Sequence, residues 1–136
     1  MQGFRRERHS VSRLTAHLVC VTKYRCRLLD SQALEWLQGH AIKVFATMGC
    51  ELLACDGEAD HVHLLIEYPP KYSISVLVNA FKGTSSRLLR KTRPDIASRN
   101  ANGVLWSPSY FAASTGGATL ETVKRYVEQQ RASSSP

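Results

Sequence analysis

Two histidines stand one residue apart in "EADHVHLLIE", Glu58 to Glu67. Around them, Val62, Leu64, Leu65 and Ile66 form the apolar run of an ordinary buried strand. On a strand, residues two apart project from the same face. His61 and His63 therefore point one way with Leu65 and Glu67, and Val62, Leu64 and Ile66 point the other way, into a core. Two imidazoles side by side suit a divalent metal. Two ligands make an incomplete site, and H-x-H alone fits a structural or surface pair at least as well. A third donor has to come from elsewhere in the chain.

The last helical stretch, "LETVKRYVEQQR", offers one. Leu120, Val123 and Val127 recur at spacings of three and four, an apolar stripe. Tyr126 and Gln130 are four apart, stacked along the helix at the edge of that stripe. Laid on an open sheet face, such a helix turns both towards the histidines. Gln130 then offers a neutral oxygen and Tyr126 a hydroxyl, with Lys124 and Arg125 adding positive charge. Taken singly, Tyr126 reads as a half-buried aromatic and Gln130 as a solvated helix residue. Tyr24, Tyr68, Tyr72 and Tyr110 compete with Tyr126, but none has a glutamine four residues on. Among the lone histidines, His17 lies within a strand and reads as packed or hydrogen-bonded. His40 reads as exposed on a helix, and His9 stands alone near the start.

The elements that must position these residues follow from pattern. "RLTAHLVCVT", Arg13 to Thr22, is a central strand. "KYRCRLL" is a basic connection. Asp30 or Ser31 caps a helix whose stripe is Leu34, Leu37, Ala41, Val44, Phe45 and Met48, closed by Gly49. "CELLAC" is a short strand, Asp56-Gly57 starts a turn, and "HVHLLIEY" returns as the second strand of a hairpin. Pro69-Pro70 ends it. Ser73 caps a helix towards Arg90 or Lys91, with Leu77, Ala80, Phe81, Thr84 and Leu88 inside. "TRPDIASRNANG" is a polar loop. "VLWSPSYFAAS" is one or two strands broken at Ser107-Pro108. Gly116-Gly117 is a break, and Thr119 caps the last helix. The order is βαββαβ, the α+β ferredoxin-like (RRM-like) sandwich, plus a C-terminal helix that carries Tyr126. Two helices then cover one sheet face, and the histidines lie on the other.

Composition narrows the partner. The 136 residues suit one domain, over 1–131, with "RASSSP" at the end leaving a disordered tail over 132–136. No apolar run approaches the ~20 residues of a membrane span. No secretory h-region follows the basic start, so the expectation is a cytoplasmic protein without a membrane partner. Lys plus Arg is 18 against 11 for Asp plus Glu, a net charge of +7. Such an excess points to a polyanion, nucleic acid first, although a merely soluble basic surface has the same composition. Lys23, Arg25 and Arg27, then Lys82, Arg87, Arg90 and Lys91, are the candidate phosphate contacts. Trp106 and Phe111 read as core or as stacking partners of unpaired bases. Cys20, Cys26, Cys50 and Cys55 contain no C-x-x-C pair and read as reduced thiols.

"DHVHLLIE" with a downstream "RYVEQQ" resembles the HUH superfamily, whose name stands for His-hydrophobic-His. More narrowly, "VTKYR", "EADHVHLLIEYPP", "FKGTSSRLLR", "LWSPSYFAAS" and "VKRYVEQQ" resemble, in order, the small single-tyrosine transposases of insertion sequences. The resemblance implies that His61 and His63 hold Mg²⁺ or Mn²⁺, with Gln130 completing the protein ligands, and that Tyr126 is the nucleophile. It implies action on single-stranded DNA bearing hairpins, through a 5′-phosphotyrosine and without a nucleotide cofactor. It also implies a homodimer whose tyrosine helix serves the partner's histidines, and association with the nucleoid in action. Two other readings stay open. One is a stand-alone HUH nickase, such as a replication initiator, a relaxase or a domesticated repeat-associated relative. The other is a non-catalytic ferredoxin-like nucleic-acid binder.

Overall fold

The computed structural model of the chain describes residues 4–99, 103–115, 125 and 128. It begins with two strands of three residues, β1 (Arg5–Glu7) and β2 (Ser10–Ser12), paired antiparallel. A three-residue strand is too short to show an alternating pattern, so the sequence reading passed over this hairpin. β3 (Leu14–Thr22) follows, and Lys23–Arg25 make one 3-10 turn.

α1 (Ser31–Thr47) starts on Asp30, whose Oδ1 accepts from the Ala33 N–H at 2.8 Å. That contact satisfies one of the donors that a helix start leaves open. Ala33, Leu37, Ala41 and Phe45 line its buried face, and Gly49 ends it at φ +73°. β4 (Glu51–Glu58) and β5 (His61–Tyr68) form the expected hairpin. The turn falls at Ala59–Asp60 rather than at Asp56-Gly57, because β4 continues beneath α1. A Cβ on Gly57 would stand 2.7 Å from the His61 carbonyl oxygen and 2.8 Å from Leu34 Cδ2. Gly57 therefore permits a close approach of helix to strand; it does not mark a bend.

α2 (Ile74–Thr92) is capped by Ser73, which accepts from the Val76 N–H. Its buried residues are Leu77, Val78, Phe81, Ser85 and Leu89. The face is rotated from the expected one, so Ser85 and Leu89 replace Thr84 and Leu88 at its far end. Buried Ser85 is satisfied there, because its Oγ accepts from the Trp106 indole N–H at 2.9 Å. Thr84 instead meets His40 Nε2 at 2.7 Å, and His40 stacks on Trp36. His40 thus joins α1 to α2 and is half-buried, not exposed as expected.

α3 (Pro94–Arg99) lies where a polar loop was expected. Pro94 sits at the first helical position, Asp95 in the first turn, and Ile96 is buried. β6 (Trp106–Ser114) is one strand, with a register shift against β3 between Cys20 and Thr22. Pro108 is tolerated because β6 is an edge.

The main sheet has the order β4-β5-β3-β6, antiparallel throughout. Two helices cover one face, over Ala16, Leu18, Cys20, Val62, Leu64 and Ile66. This is the ferredoxin-like arrangement, and the alternation left His17, His61, His63 and Glu67 on the other face. The far end of that face is held by the N-terminal hairpin: Arg5 donates to both carboxylate oxygens of Glu67, at 3.0 and 2.6 Å. Arg125 and Glu128 are helical. Gly116, Gly117, Thr119, Leu120, Val123, Val127 and the tail lie outside the described residues. No described helix is long and apolar enough to cross a membrane.

Candidate metal and nucleic-acid site

β5 places both ligand candidates. His61 and His63 are both buried, with ring centroids 4.8 Å apart and planes near perpendicular. Each ring has a neighbour at its Nδ1. Asp60 Oδ1 lies 2.7 Å from His61 Nδ1. A carboxylate accepts, so His61 donates from Nδ1 and keeps the Nε2 lone pair for a metal. His17 Nε2 lies 3.0 Å from His63 Nδ1, with the two rings stacked. His17 is thus the packed, hydrogen-bonded residue expected of it. Phe111 meets its ring edge-on, and Trp106 belongs to the core.

The third donor near this pair is Glu128. One ligand atom each from His61, His63 and Glu128 lie within 4.8 Å of one another. Glu128 Oε1 is 3.6 Å from His61 Nε2. Two imidazoles and a carboxylate are a donor set that can hold a divalent metal ion. The residues present therefore fit a divalent ion, without selecting which one. Sequence reasoning passed over Glu128, although an acid two residues before Gln130 was a usable signal. Glu58, Asp60 and His61 form a second cluster, sharing His61. Tyr126, Gln130 and Lys124 lie outside the described residues; Arg125 is exposed.

The basic candidates separate into two groups. Arg25 Nε is 3.6 Å from Asp60 Oδ2, beside the histidines. Lys23 Nζ lies 5.5 Å from the Tyr24 ring centroid, and Arg27 is exposed. On the opposite side of the sheet, Lys82, Arg87, Arg90 and Lys91 line a cavity of about 670 Å³ between α2, α3 and the start of β6. Lys82 has other work there. Its ammonium donates to the Ser107 and Pro108 carbonyls at 2.6 and 3.2 Å, and burial lowers its pKa. Arg87, Arg90 and Lys91 remain as the rim. Among the described residues no acidic side chain lines this cavity.

The four cysteines are free. Burial pushes the thiols of Cys20 and Cys55 up to about 12 and about 11, which keeps them protonated and inert as nucleophiles.

The IS200-like transposase family matches residues 10–130. The chain is similar to the ISDra2 transposase TnpA of Deinococcus radiodurans, 31% identical over 120 residues that span 88% of this chain and 86% of that one. It is similar to the transposase for insertion sequence element IS200 of Salmonella typhimurium, 27% identical over 114 residues that span 84% and 74%. Among solved structures, a putative transposase from Deinococcus radiodurans superposes with a TM-score of 0.79 at 31% identity, covering 93% and 97% of the two chains. A REP-associated tyrosine transposase bound to a REP hairpin shares the fold, with a TM-score of 0.55 at 18% identity over 90% and 67%. With nearly the whole chain matched, and the paired histidines where the motif requires them, this protein belongs to the IS200-like transposases, the single-tyrosine branch of the HUH superfamily.

Proposed function

We propose that this transposase cleaves and rejoins single-stranded DNA at hairpin-bearing element ends, with Tyr126 as nucleophile and a divalent ion at His61 and His63. The observation that carries the reading is the convergence of His61, His63 and Glu128 at one place on the sheet face turned away from α1 and α2. Gln130 was the ligand expected from the resemblance. Glu128, two residues earlier, supports the same helix as the source of the third donor. A divalent ion bound there supplies Lewis-acid polarisation of the scissile phosphate.

The chain's own residues do the rest. Asp60 and His17 orient the two imidazoles. The Tyr126 phenolic oxygen forms a bond to phosphorus as the bond to the 3′ oxygen breaks, leaving a 5′-phosphotyrosine and a free 3′-hydroxyl. The phosphodiester energy is kept, so rejoining needs no nucleotide. A phenol of pKa about 10 is a reluctant nucleophile at neutral pH, and nearby Lys124 and Arg125 favour its ionised form. Arg87, Arg90 and Lys91 suit the backbone of a hairpin stem. We place the reaction on chromosomal DNA in the cytoplasm, with the protein at the nucleoid while it acts.

The test is incubation with labelled single strands carrying the element's ends, read on a denaturing gel. Wild type gives a protein–DNA adduct that chelator abolishes and Mg²⁺ or Mn²⁺ restores. Tyr126→Phe gives none while still binding the hairpin. An adduct from the Phe variant refutes the nucleophile, and full cleavage by metal-free protein in excess chelator refutes the ion. Binding without any adduct returns the protein to the non-catalytic reading.

A further inference from the structure

The 3-10 turn after β3 has a backbone that its side chains do not favour. Tyr24 (φ 59°, ψ 16°) and Arg25 (φ 55°) are the two non-glycine residues with positive φ among the described residues. Left-handed backbone is disfavoured for side chains with a Cβ, most of all for bulky ones, and it persists only where the surroundings enforce it. Here they do. The Thr22 N–H donates to the Asp60 carbonyl, the Lys23 N–H to the Leu105 carbonyl, and the Leu29 N–H to the Ala59 carbonyl, each at 2.9 Å. The Thr22 hydroxyl closes the loop on the Cys26 carbonyl at 2.7 Å. The turn is therefore clamped to the Ala59–Asp60 connection that leads directly into His61.

This strained, rigid turn buries almost nothing of Tyr24. Its side chain is 77% exposed, more than any other large apolar or aromatic residue described. A core role does not account for an aromatic ring held outward on an unfavourable backbone. The position does suggest a role. Val21 stands directly opposite His61 in the β3–β5 register, and three residues of chain reach at most about 11 Å. Lys23, Arg25 and Arg27 flank the ring with positive charge. Arg25 also offsets the Asp60 carboxylate, so a phosphate can approach.

We infer that Tyr24 is a stacking platform for an unpaired base of the strand that runs to His61 and His63, with Lys23 and Arg27 on the adjoining phosphates. Every base presents a π face, so such a platform positions the strand without reading its sequence. The inference rests on the proposed reading that single-stranded DNA reaches the histidines.

The test uses the full-length protein and a short single strand of thymidylates carrying one 2-aminopurine, in chelator, so that cleavage plays no part. Wild type and Tyr24→Phe bind alike and quench the fluorescence. Tyr24→Leu keeps apolar bulk without the π face, and loses about tenfold in affinity together with the quench. Tyr24→Asn checks for a merely structural role. Asparagine tolerates left-handed backbone, so this variant melts no lower than wild type while binding more weakly. Wild-type affinity and quenching in the Leu variant overturn the inference. So does an Asn variant that melts lower and binds normally. A wild-type protein that binds but never forms an adduct refutes the cleavage reading and leaves this measurement intact.

Discussion

Asp60 holds the ring of the residue that follows it: its Oδ1 is 2.7 Å from His61 Nδ1, and His61 Nε2 faces Glu128 at 3.6 Å. One contact thus selects the tautomer and leaves Nε2 facing the Glu128 carboxylate. Asp60→Ala removes the acceptor and frees the imidazole to carry its proton on either nitrogen. Partners of this kind are worth roughly 10–100-fold in metal affinity, so Mn²⁺ binding by calorimetry falls within that range. Nitrogen-15 NMR of the metal-free protein reads the tautomer directly, and shows His61 shifting away from the Nδ1-protonated form. An unchanged tautomer and unchanged affinity refute the assignment.

The same substitution at two glycines has opposite signs. Gly57→Ala puts a Cβ against the His61 carbonyl oxygen and the Leu34 side chain, so strand or helix must move, at a cost of about 1–3 kcal/mol. Because the backbone that moves is that of His61, Mn²⁺ affinity falls too. Gly39 lies inside α1, and a Cβ there meets nothing within 4 Å. Gly39→Ala gains about 0.5–1 kcal/mol from helix propensity alone and leaves metal binding unchanged. Urea unfolding of the two variants checks both signs.

Asp30 makes the start of α1 sensitive to acid. The Arg93 guanidinium, followed by the Ala33 N–H, lowers its pKa from 3.8 to about 2. A folded-state value below the unfolded one contributes stability that is complete above the unfolded pKa and is lost as pH falls through the folded one. The window here is therefore about pH 4 down to about pH 2. The side chain is 53% exposed, so solvent screens the ion pair and the gain is small. Asp30→Asn keeps a good cap but has no charge to titrate, so its stability difference from wild type shrinks towards pH 2. Asp30→Ala loses the cap as well, about 1 kcal/mol at neutral pH. A pH-independent gap between wild type and the Asn variant rejects this account.

The histidine pair was legible because alternation on a strand is a strong signal, and Val62, Leu64 and Ile66 marked the face that packs under the helices. Gly49 ended α1 as expected, since a left-handed glycine is what such an end requires. Other features are set by tertiary contact. Ser85 lies inside because Trp106 reaches it with an N–H. Gly57 is read as a turn until α1 is seen to press on it. The six residues of α3 bury only Ile96, too little periodicity to register. Lys82 looks like a phosphate ligand along the chain, but in space it holds the carbonyls at the start of β6. Glu128 is hard to pick out along the chain because the helical spacing of four links Tyr126 with Gln130 and not with position 128.

The last prediction concerns which chain's tyrosine serves which histidines. We expect a homodimer whose active sites are shared. The support is the resemblance, together with the Gly116-Gly117 pair in the sequence ahead of "LETVKRYVEQQR", since paired glycines favour flexible connections. A mobile connection allows an element to pack on its own sheet or on a neighbour's. His61→Ala and Tyr126→Phe chains are each inactive alone. In heterodimers, a shared arrangement unites the intact histidines of one chain with the intact tyrosine of the other. One site then works and the second carries both defects, so adduct formation returns to about half the wild-type level per dimer, which is simple site counting under this symmetry. A cis arrangement leaves one defect in each site, and no activity returns. Heterodimers isolated with two different affinity tags decide between them. Persistent inactivity in such heterodimers defeats sharing for cleavage and leaves the roles of His61 and Tyr126 as they stand.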